Sequence, residues 1–449
     1  MSTNTTELHS PSSQTTTHTI SFSILPSPPS TTTILLLLTT YLLAVRYLRY
    51  SRRDFMVKKL GYTTRESLRS MTNADAQKIL GYVGELEFPT FYKMSAQFAL
   101  FKTYGIPSIS RLLEETHQFT SASTASKRYA DTSILIAECT SHPPLHPRVL
   151  KAIVRINYLH APYQKAGKIS NNDLLYTLSV FIREPISWIQ EYEWRPLNDM
   201  EMCALGTYWK GIGDAMKISY DPLLQRPENH PHPGPAAPWR DGLDFYTDIN
   251  AWAQRYERQQ MRPGVRSCKK TADALVPLLI HSVPRFLRPF ARDAIGVIMG
   301  PQLRAAMAHE EPSLTHTLLT TTLLNVRKWM IRYASLPRPA WMRVREVSGT
   351  EEAPGEDGRF PAMTYLAHPY YVRPGVWNRW GPMALLTRAL GGYVPEVEGE
   401  QATEWKAKGY KIEEVGPVRK EGKGMQEMEE MEEEIMKERT MGCPFAFVG

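Results

Sequence analysis

Between Val154 and Tyr163 the chain reads VRINYLHAPY, an apolar run that also carries Arg155, Asn157 and His160. On a helix Asn157 and His160 stand three apart and share a face, with Arg155 turned off it. Upstream, in KRYADT, Arg128, Asp131 and Thr132 sit at i, i+3 and i+4, a polar stripe on a segment otherwise lined by Ile134, Leu135, Ile136 and Ala137. Polar groups on a buried face must find partners, so such stripes face one another or a ligand. Two chemistries suit these residue types. A neutral imidazole can ligate a metal, although for His160 alone a satisfied core histidine is the default. Alternatively, Arg128, Arg155, Asp131 and Asp173 form a structural ion-pair network between helices, which is the default for any one of them. Spacing does not choose between the two, and HExxH, paired Glu-x-x-His, GxSxG and P-loop motifs are all absent.

The elements that must position these residues read as helices. From Thr63 to about Tyr220, apolar residues recur at three- and four-residue spacing, with starts marked by Thr63, Ser126, Asn171 or Asn172, and Asn198. The third of these stretches adds Asp173, Tyr176 and Thr177 to the polar set, and EYEWRPLNDMEMCALGTYWKGIG adds Glu193, Trp194, Arg195, Glu201 and Trp209. RPENHPHPGPAAPWR, at 226–240, reads as a proline-rich loop. Helical pattern resumes over 241–258 and 272–334. Residues 337–382 read as irregular cover, and 421–449 as a solvated acidic helical tail. Strand signals are scarce, so the body is predicted to be mainly α, with a core catalytic helical domain over 54–225 and the remainder of the same body over 241–420.

The N-terminus has a different character. Residues 1–30 are rich in Ser, Thr and Pro with almost no charge, the composition of a disordered tail. TTTILLLLTTYLLAVRYLRY, at 31–50, has the ~20 mostly apolar residues of a transmembrane helix. Arg46 and Arg49 are placed to snorkel to headgroups, with Tyr47 and Tyr50 as interfacial anchors. Basic residues follow the apolar run instead of preceding it, which favours a retained single-pass anchor over a cleaved signal, with the body cytosolic and the N-terminus lumenal. Asn4-Thr5-Thr6 is a formal glycosylation sequon in that lumenal tail. Formal net charge is +7, and much of the excess sits in RYLRYSRRDFMVKK, beside the span. That concentration points to a membrane surface and away from nucleic acid. Four scattered cysteines with no CxxC pair exclude a disulfide framework and a zinc finger.

SKRYADTSILI, AIVRINYLHAPYQKAGKISNNDLLYTL and EYEWRPLNDMEMCALGTYWKGIGDAMKI together resemble the fungal ER-bound oxygenase family typified by MpaB of mycophenolic acid biosynthesis. The resemblance is strong over roughly Asp54 to Tyr220, and HPYYVRPGVWNRWGP, GYKIEEVGP and GCPF also look familial. That family is distantly similar to bacterial latex-clearing rubber oxygenases. Those are all-α proteins with a globin-like core and a b-type haem, and they cleave isoprene double bonds with dioxygen. The resemblance implies a globin-like-core haem oxygenase body, with His160 as the proximal ligand of the haem iron. It matches Arg128 and Thr132 to the Arg and Thr of an Arg-x-x-Lys-Thr motif, with Asp131 where the lysine stands. Arg128, Asp131 and Thr132 are thus the implied catalytic residues, and His160, Arg128 and Asn157 the implied haem b contacts. Glu114 and Glu115 lie in the region of the general base, and Arg128, Arg155 or Arg183 suits the propionates. The implied partners are a hydrophobic terpenoid or polyketide chain, dioxygen and the endoplasmic reticulum membrane.

Two further readings use the same residues. A non-haem iron site would need His160, Asp131 and His142 or His146 to converge, although the two loop histidines are expected to be exposed. A membrane-tethered binding scaffold would leave the polar stripe purely structural. The late aromatics His368, Tyr370, Tyr371, Trp377 and Trp380 either close the pocket or pack on the core, with the tryptophans expected in the core.

Overall fold

The computed structural model describes residues 30–117, 122–221, 223–224, 239–281, 283–355, 357–438 and 442–445. The tail before Ser30, with its Asn4 sequon, and the loop from Pro227 to Pro238 lie outside them. The chain divides into two compact units, Met1–Ala44 and Val45–Gly449. Of the first, the described part opens α1 (Thr31–Leu60), where Ile34, Leu35, Leu36, Leu37 and Leu38 are all exposed. Apolar surface left in water forgoes about 25 cal/mol per Å², so this stretch calls for an apolar surrounding. It is long and apolar enough to cross a membrane. The helix runs ten residues past the expected end at Tyr50.

In the second unit the helices before the proline-rich loop are α2 (Arg65–Leu68), α3 (Asn73–Tyr82), α4 (Pro89–Thr103), α5 (Pro107–Glu115), α6 (Ala122–Ser141), α7 (Pro147–Lys165), α8 (Asn171–Tyr192) and α9 (Asp199–Ala215). After it come α10 (Gly242–Gln260), α11 (Arg266–Leu279), α12 (Arg288–Ala306) and α13 (Leu314–Ala334). The short helices α14 (Val376–Trp380), α15 (Pro382–Ala389) and α16 (Glu400–Glu404) punctuate an irregular stretch before α17 (Met425–Glu438). Among the described residues, sheet-like pairing is limited to two isolated bridges, Val347 with Ala362 and Phe360 with Tyr410. The mainly α reading holds.

Local chemistry sets the starts. Ser170 and Asp173 form a capping box on α8, and Asn198 and Glu201 form one on α9. Each satisfies two backbone donors that the first turn leaves unpaired. The cap of α8 is therefore Ser170 and not Asn171, and α2 is capped by Thr64 and not Thr63. Ser126 lies inside α6, where its hydroxyl pairs with His368 Nδ1 at 2.9 Å instead of capping a helix.

α8 is buried along most of its length and packs along α4, while α9 packs between α3 and α10. The α9–α10 approach needs glycine: a Cβ on Gly206 would stand 2.0 Å from the carbonyl oxygen of Gly242. α7 packs against α6 on one side and α17 on another. The acidic tail is thus a correction to the sequence reading. Met428 and Ile435 of α17 are buried, and Gly442 accepts a hydrogen bond from the backbone of Asn73. Methionine and isoleucine at helical spacing give this charged segment one apolar face, which α7 covers.

Arg155 closes that junction. It is fully buried, and its Nε and Nη2 donate to the carbonyls of Val415 (2.8 Å) and Lys420 (3.0 Å). Its guanidinium lies over the Tyr158 ring at 5.3 Å. Arginine stands in an apolar helix here because it satisfies carbonyls of the irregular segment leading into α17.

Candidate active site

α5, α6, α7, α8 and α9 line a cavity of about 270 Å³, walled by side chains such as Leu113, Leu135, Leu159, Leu178, Phe181 and Ile212. That is near the lower end of the ~300–1,000 Å³ typical of small-molecule sites. Three polar residues of the two stripes, Arg128, Thr132 and His160, stand in this apolar wall together. Their positions follow from helix geometry. Arg128 and Thr132 are one turn apart on α6, and α7 packs alongside to bring His160 to the same space.

His160 has an unmet requirement. Its Nδ1 is buried with no hydrogen-bond partner. Burial, and next the charge on Arg128, lowers the imidazole from 6.5 to about 4. The ring keeps some accessible surface, and it lines the cavity. At cellular pH it is neutral and carries a free lone pair, the state needed to ligate a metal. Arg128 donates through Nη1 to Thr132 Oγ1, and that hydroxyl donates to the Arg128 carbonyl at 2.9 Å. Thr132 is the one side chain among the described residues that accepts from Arg128. A guanidinium has five N–H donors, so most of its capacity is left for a ligand. The arrangement can therefore ligate through His160 and hold an anion on Arg128, between largely apolar walls.

Asp173, Thr177 and Trp209 also line the cavity, whereas the remaining sequence candidates lie elsewhere. Asp131 is buried away from the cavity, paired with Lys127 at 2.9 Å and accepting from the Tyr371 hydroxyl at 2.7 Å. One residue before Thr132, it points off the shared face of α6. The Asn157 amide donates to the Ala215 carbonyl at 3.0 Å, so it ties α7 to the end of α9 and is absent from the cavity wall. Glu114 and Glu115 pair outward with Lys270 and Lys168. Arg183 bonds Glu257 and Asn250, and Arg155 is spent on Val415 and Lys420. The structural network proposed among Arg128, Arg155, Asp131 and Asp173 does not form, since Asp173 accepts instead from Ser108, Ser170 and Tyr256.

His142 is a second correction. It is buried and not exposed, facing Glu138 at 3.3 Å and Thr350 at 3.1 Å, with His146 stacked on it. Among the described residues no three His, Cys, Asp or Glu side chains gather as a metal set, so the donors of the non-haem reading do not converge. Of the late aromatics, Tyr370 and Tyr371 are buried, whereas Trp377 and Trp380 are exposed, contrary to the core placement expected of them. Val376–Trp380 is a single short helix with no buried residue, so its side chains have no core to enter.

Sequence reasoning missed part of the wall. Tyr163, Lys168, Arg419 and Lys420 also line the cavity. The Tyr163 hydroxyl accepts from Arg419 Nη2 at 2.8 Å. Tyr163, three residues after His160 on α7, could have been found by extending the helical face; Lys168 lies past the end of that helix. Arg419 and Lys420 could not have been found that way, because contacts distant in the chain, the Arg155 clamp and the Arg419–Tyr163 bond among them, bring that segment to α7.

No protein-family model matches the chain. Individual relatives do. The chain is 39% identical over 405 residues to the ER-bound oxygenase mpaB' of Penicillium brevicompactum, covering 90% of this chain and 92% of that one. It is 37% identical over 361 residues to the ER-bound oxygenase mpaB of the same organism, covering 80% and 82%. A third relative, the ER-bound oxygenase mpaB of Penicillium roqueforti, is 39% identical over 271 residues, 60% of this chain and 88% of that one. Identity at this level along nearly the whole of both chains means that the protein belongs to the MpaB family of ER-bound oxygenases and is an oxidoreductase.

Proposed function

We propose that this oxygenase is haem b-dependent and cleaves a carbon–carbon double bond in a hydrophobic chain of secondary metabolism, to aldehyde, ketone or acid products. The observation that carries the reading is the convergence of His160, Arg128 and Thr132 in one apolar cavity. These residues fit the group. His160 offers a neutral imidazole whose buried nitrogen lacks a protein partner. Arg128, oriented by Thr132, offers a cation for a propionate, a charge-assisted contact. Bound there, the haem supplies the dioxygen chemistry. The chain's own part is to hold it through His160, to keep water out with Leu135, Leu159 and Phe181, and to seat a prenyl or polyketide chain against those walls. Arg419 and Lys420 give the same cavity a cationic side suited to a polar or anionic substrate head.

The apolar helix suits such a substrate. A prenylated molecule partitions into the bilayer, so an enzyme tethered there by α1 meets it at high local concentration. The basic residues following the apolar run support a cytosolic body and a lumenal N-terminus, and the relatives' ER-bound names support the endoplasmic reticulum as the membrane.

The test is an ultraviolet–visible spectrum of the full chain in detergent, titrated with haemin, beside His160→Ala. The expected result is a Soret band at one haem per chain that shifts or disappears in the variant, with far-ultraviolet circular dichroism unchanged. A folded wild-type protein that takes up no haem refutes the reading. A Soret band identical in the variant refutes His160 as the ligand.

A further inference from the structure

We propose that the outer face of α13, with the turn that follows it to Met342, is a second membrane contact of this protein. It would seat the body on the headgroup region of a bilayer that carries anionic lipid. This inference is independent of the haem reading.

The first observation is an apolar face that no described residue covers. Leu314, Leu318, Leu323, Val326, Trp329 and Met330 of α13 are all exposed, and Thr320 is its one buried residue. At 100° per residue the six exposed positions cover about half the circumference. The helix is nevertheless fixed to the body by its opposite side. Arg327 bonds Glu193 at 2.9 Å, and Lys328 bonds the Glu191 carbonyl at 3.0 Å, both at the end of α8. Such a face on a helix lying along a protein surface has the form of an interfacial element, not of a span.

The second observation is charge. Between Pro312 and Arg345 there is no Asp or Glu; Arg327 and Lys328 are turned to the body and Arg343 pairs with Glu85 at 3.1 Å, which leaves Arg332, Arg338 and Arg345 without a carboxylate partner among the described residues. Trp329 is 60% exposed and Trp341 83%. Tryptophan beside arginine complements an anionic headgroup layer.

The third observation is continuity. Arg49 Nε donates to the Ser335 carbonyl at 2.7 Å, and its Nη2 donates to the Leu336 carbonyl at 3.2 Å. Arg52 donates to the Arg338 carbonyl. Arg49 and Arg52 belong to the basic stretch directly after the apolar run of α1. The end of α13 is therefore fastened at the residues where the chain passes from that run into the body. Arg49 does not snorkel as the sequence suggests. It is buried, with its guanidinium 5.2 Å from the Trp194 ring.

α1 contains no tryptophan, which makes a clean test available. The full chain is reconstituted in phosphatidylcholine–phosphatidylserine vesicles with and without brominated acyl chains, and tryptophan emission is compared. The expected result is quenching by brominated lipid that is largely lost in Trp329→Phe/Trp341→Phe and retained in Trp377→Phe/Trp380→Phe. Absence of quenching overturns the proposal, as does quenching that survives the first double variant. Shielding of Trp329 and Trp341 from both brominated lipid and aqueous iodide would assign the face to a protein partner and also overturn it.

Discussion

Arg155→Met tests whether α7 holds the distant wall of the cavity in place. The guanidinium donates to two carbonyls, Val415 and Lys420, and hydrogen bonds from a charged donor contribute about 1.5–3 kcal/mol each. Burial opposes this by disfavouring the charge, and it pushes the Arg155 pKa down. Methionine matches the length without any donor and leaves both carbonyls unpaired, at about 1–3 kcal/mol each. Net destabilisation of about 3–5 kcal/mol follows. Unfolding entropy near 2.1 cal/mol/K per residue, over about 400 residues, is about 0.8 kcal/mol/K. The expected fall in Tm is therefore about 4–6 °C, read by scanning calorimetry at one fixed rate. Trypsin should also cut sooner at Arg419 and Lys420, the two cavity-lining residues that this clamp holds against α7. Arg155→Lys keeps the charge but not the fork and should recover only part of both effects. Replacing buried charges by apolar groups is sometimes neutral. A Tm within about 1 °C of wild type, with trypsin sensitivity unchanged, would refute the clamp.

Three other outcomes are expected. Glu138→Gln removes the carboxylate that Arg148, Tyr410 and His142 share in the core; stranding the buried Arg148 charge should cost about 3–5 kcal/mol in urea unfolding. Gly206→Val places a side chain against the Gly242 backbone and should part α9 from α10, seen as loss of soluble, folded protein on expression. In the haem-free protein, stability should fall as pH drops from 6.5 towards 4, because over that window the unfolded chain binds a proton that native His160 refuses. The ceiling is about 3 kcal/mol, and His160→Gln should flatten that part of a stability–pH profile; an unchanged slope would place the titration elsewhere.

The sequence carried the helical class and the apolar N-terminal helix, because both depend on patterns local in the chain. Three- and four-residue periodicity is enough for helices, and Ser170 and Asn198 cap theirs through neighbours three residues on. His160, Arg128 and Thr132 were legible as a set through family resemblance, and two of them share one helix face by spacing alone. Which polar residues face the cavity was not legible. Asp131 and Thr132 are adjacent, yet one turns to Lys127 and Tyr371 while the other turns to the cavity. Helix spacing says that they diverge but not which side is which, since that depends on what packs against α6. The same holds for Arg155, an apparent site residue whose partners lie some 260 positions away, and for the tail helix whose apolar face only α7 reveals. The sequence by itself determined the elements and the residue types that could do chemistry. Only the tertiary structure decided which of those residues meet, because burial and pairing are set by neighbours distant in the chain.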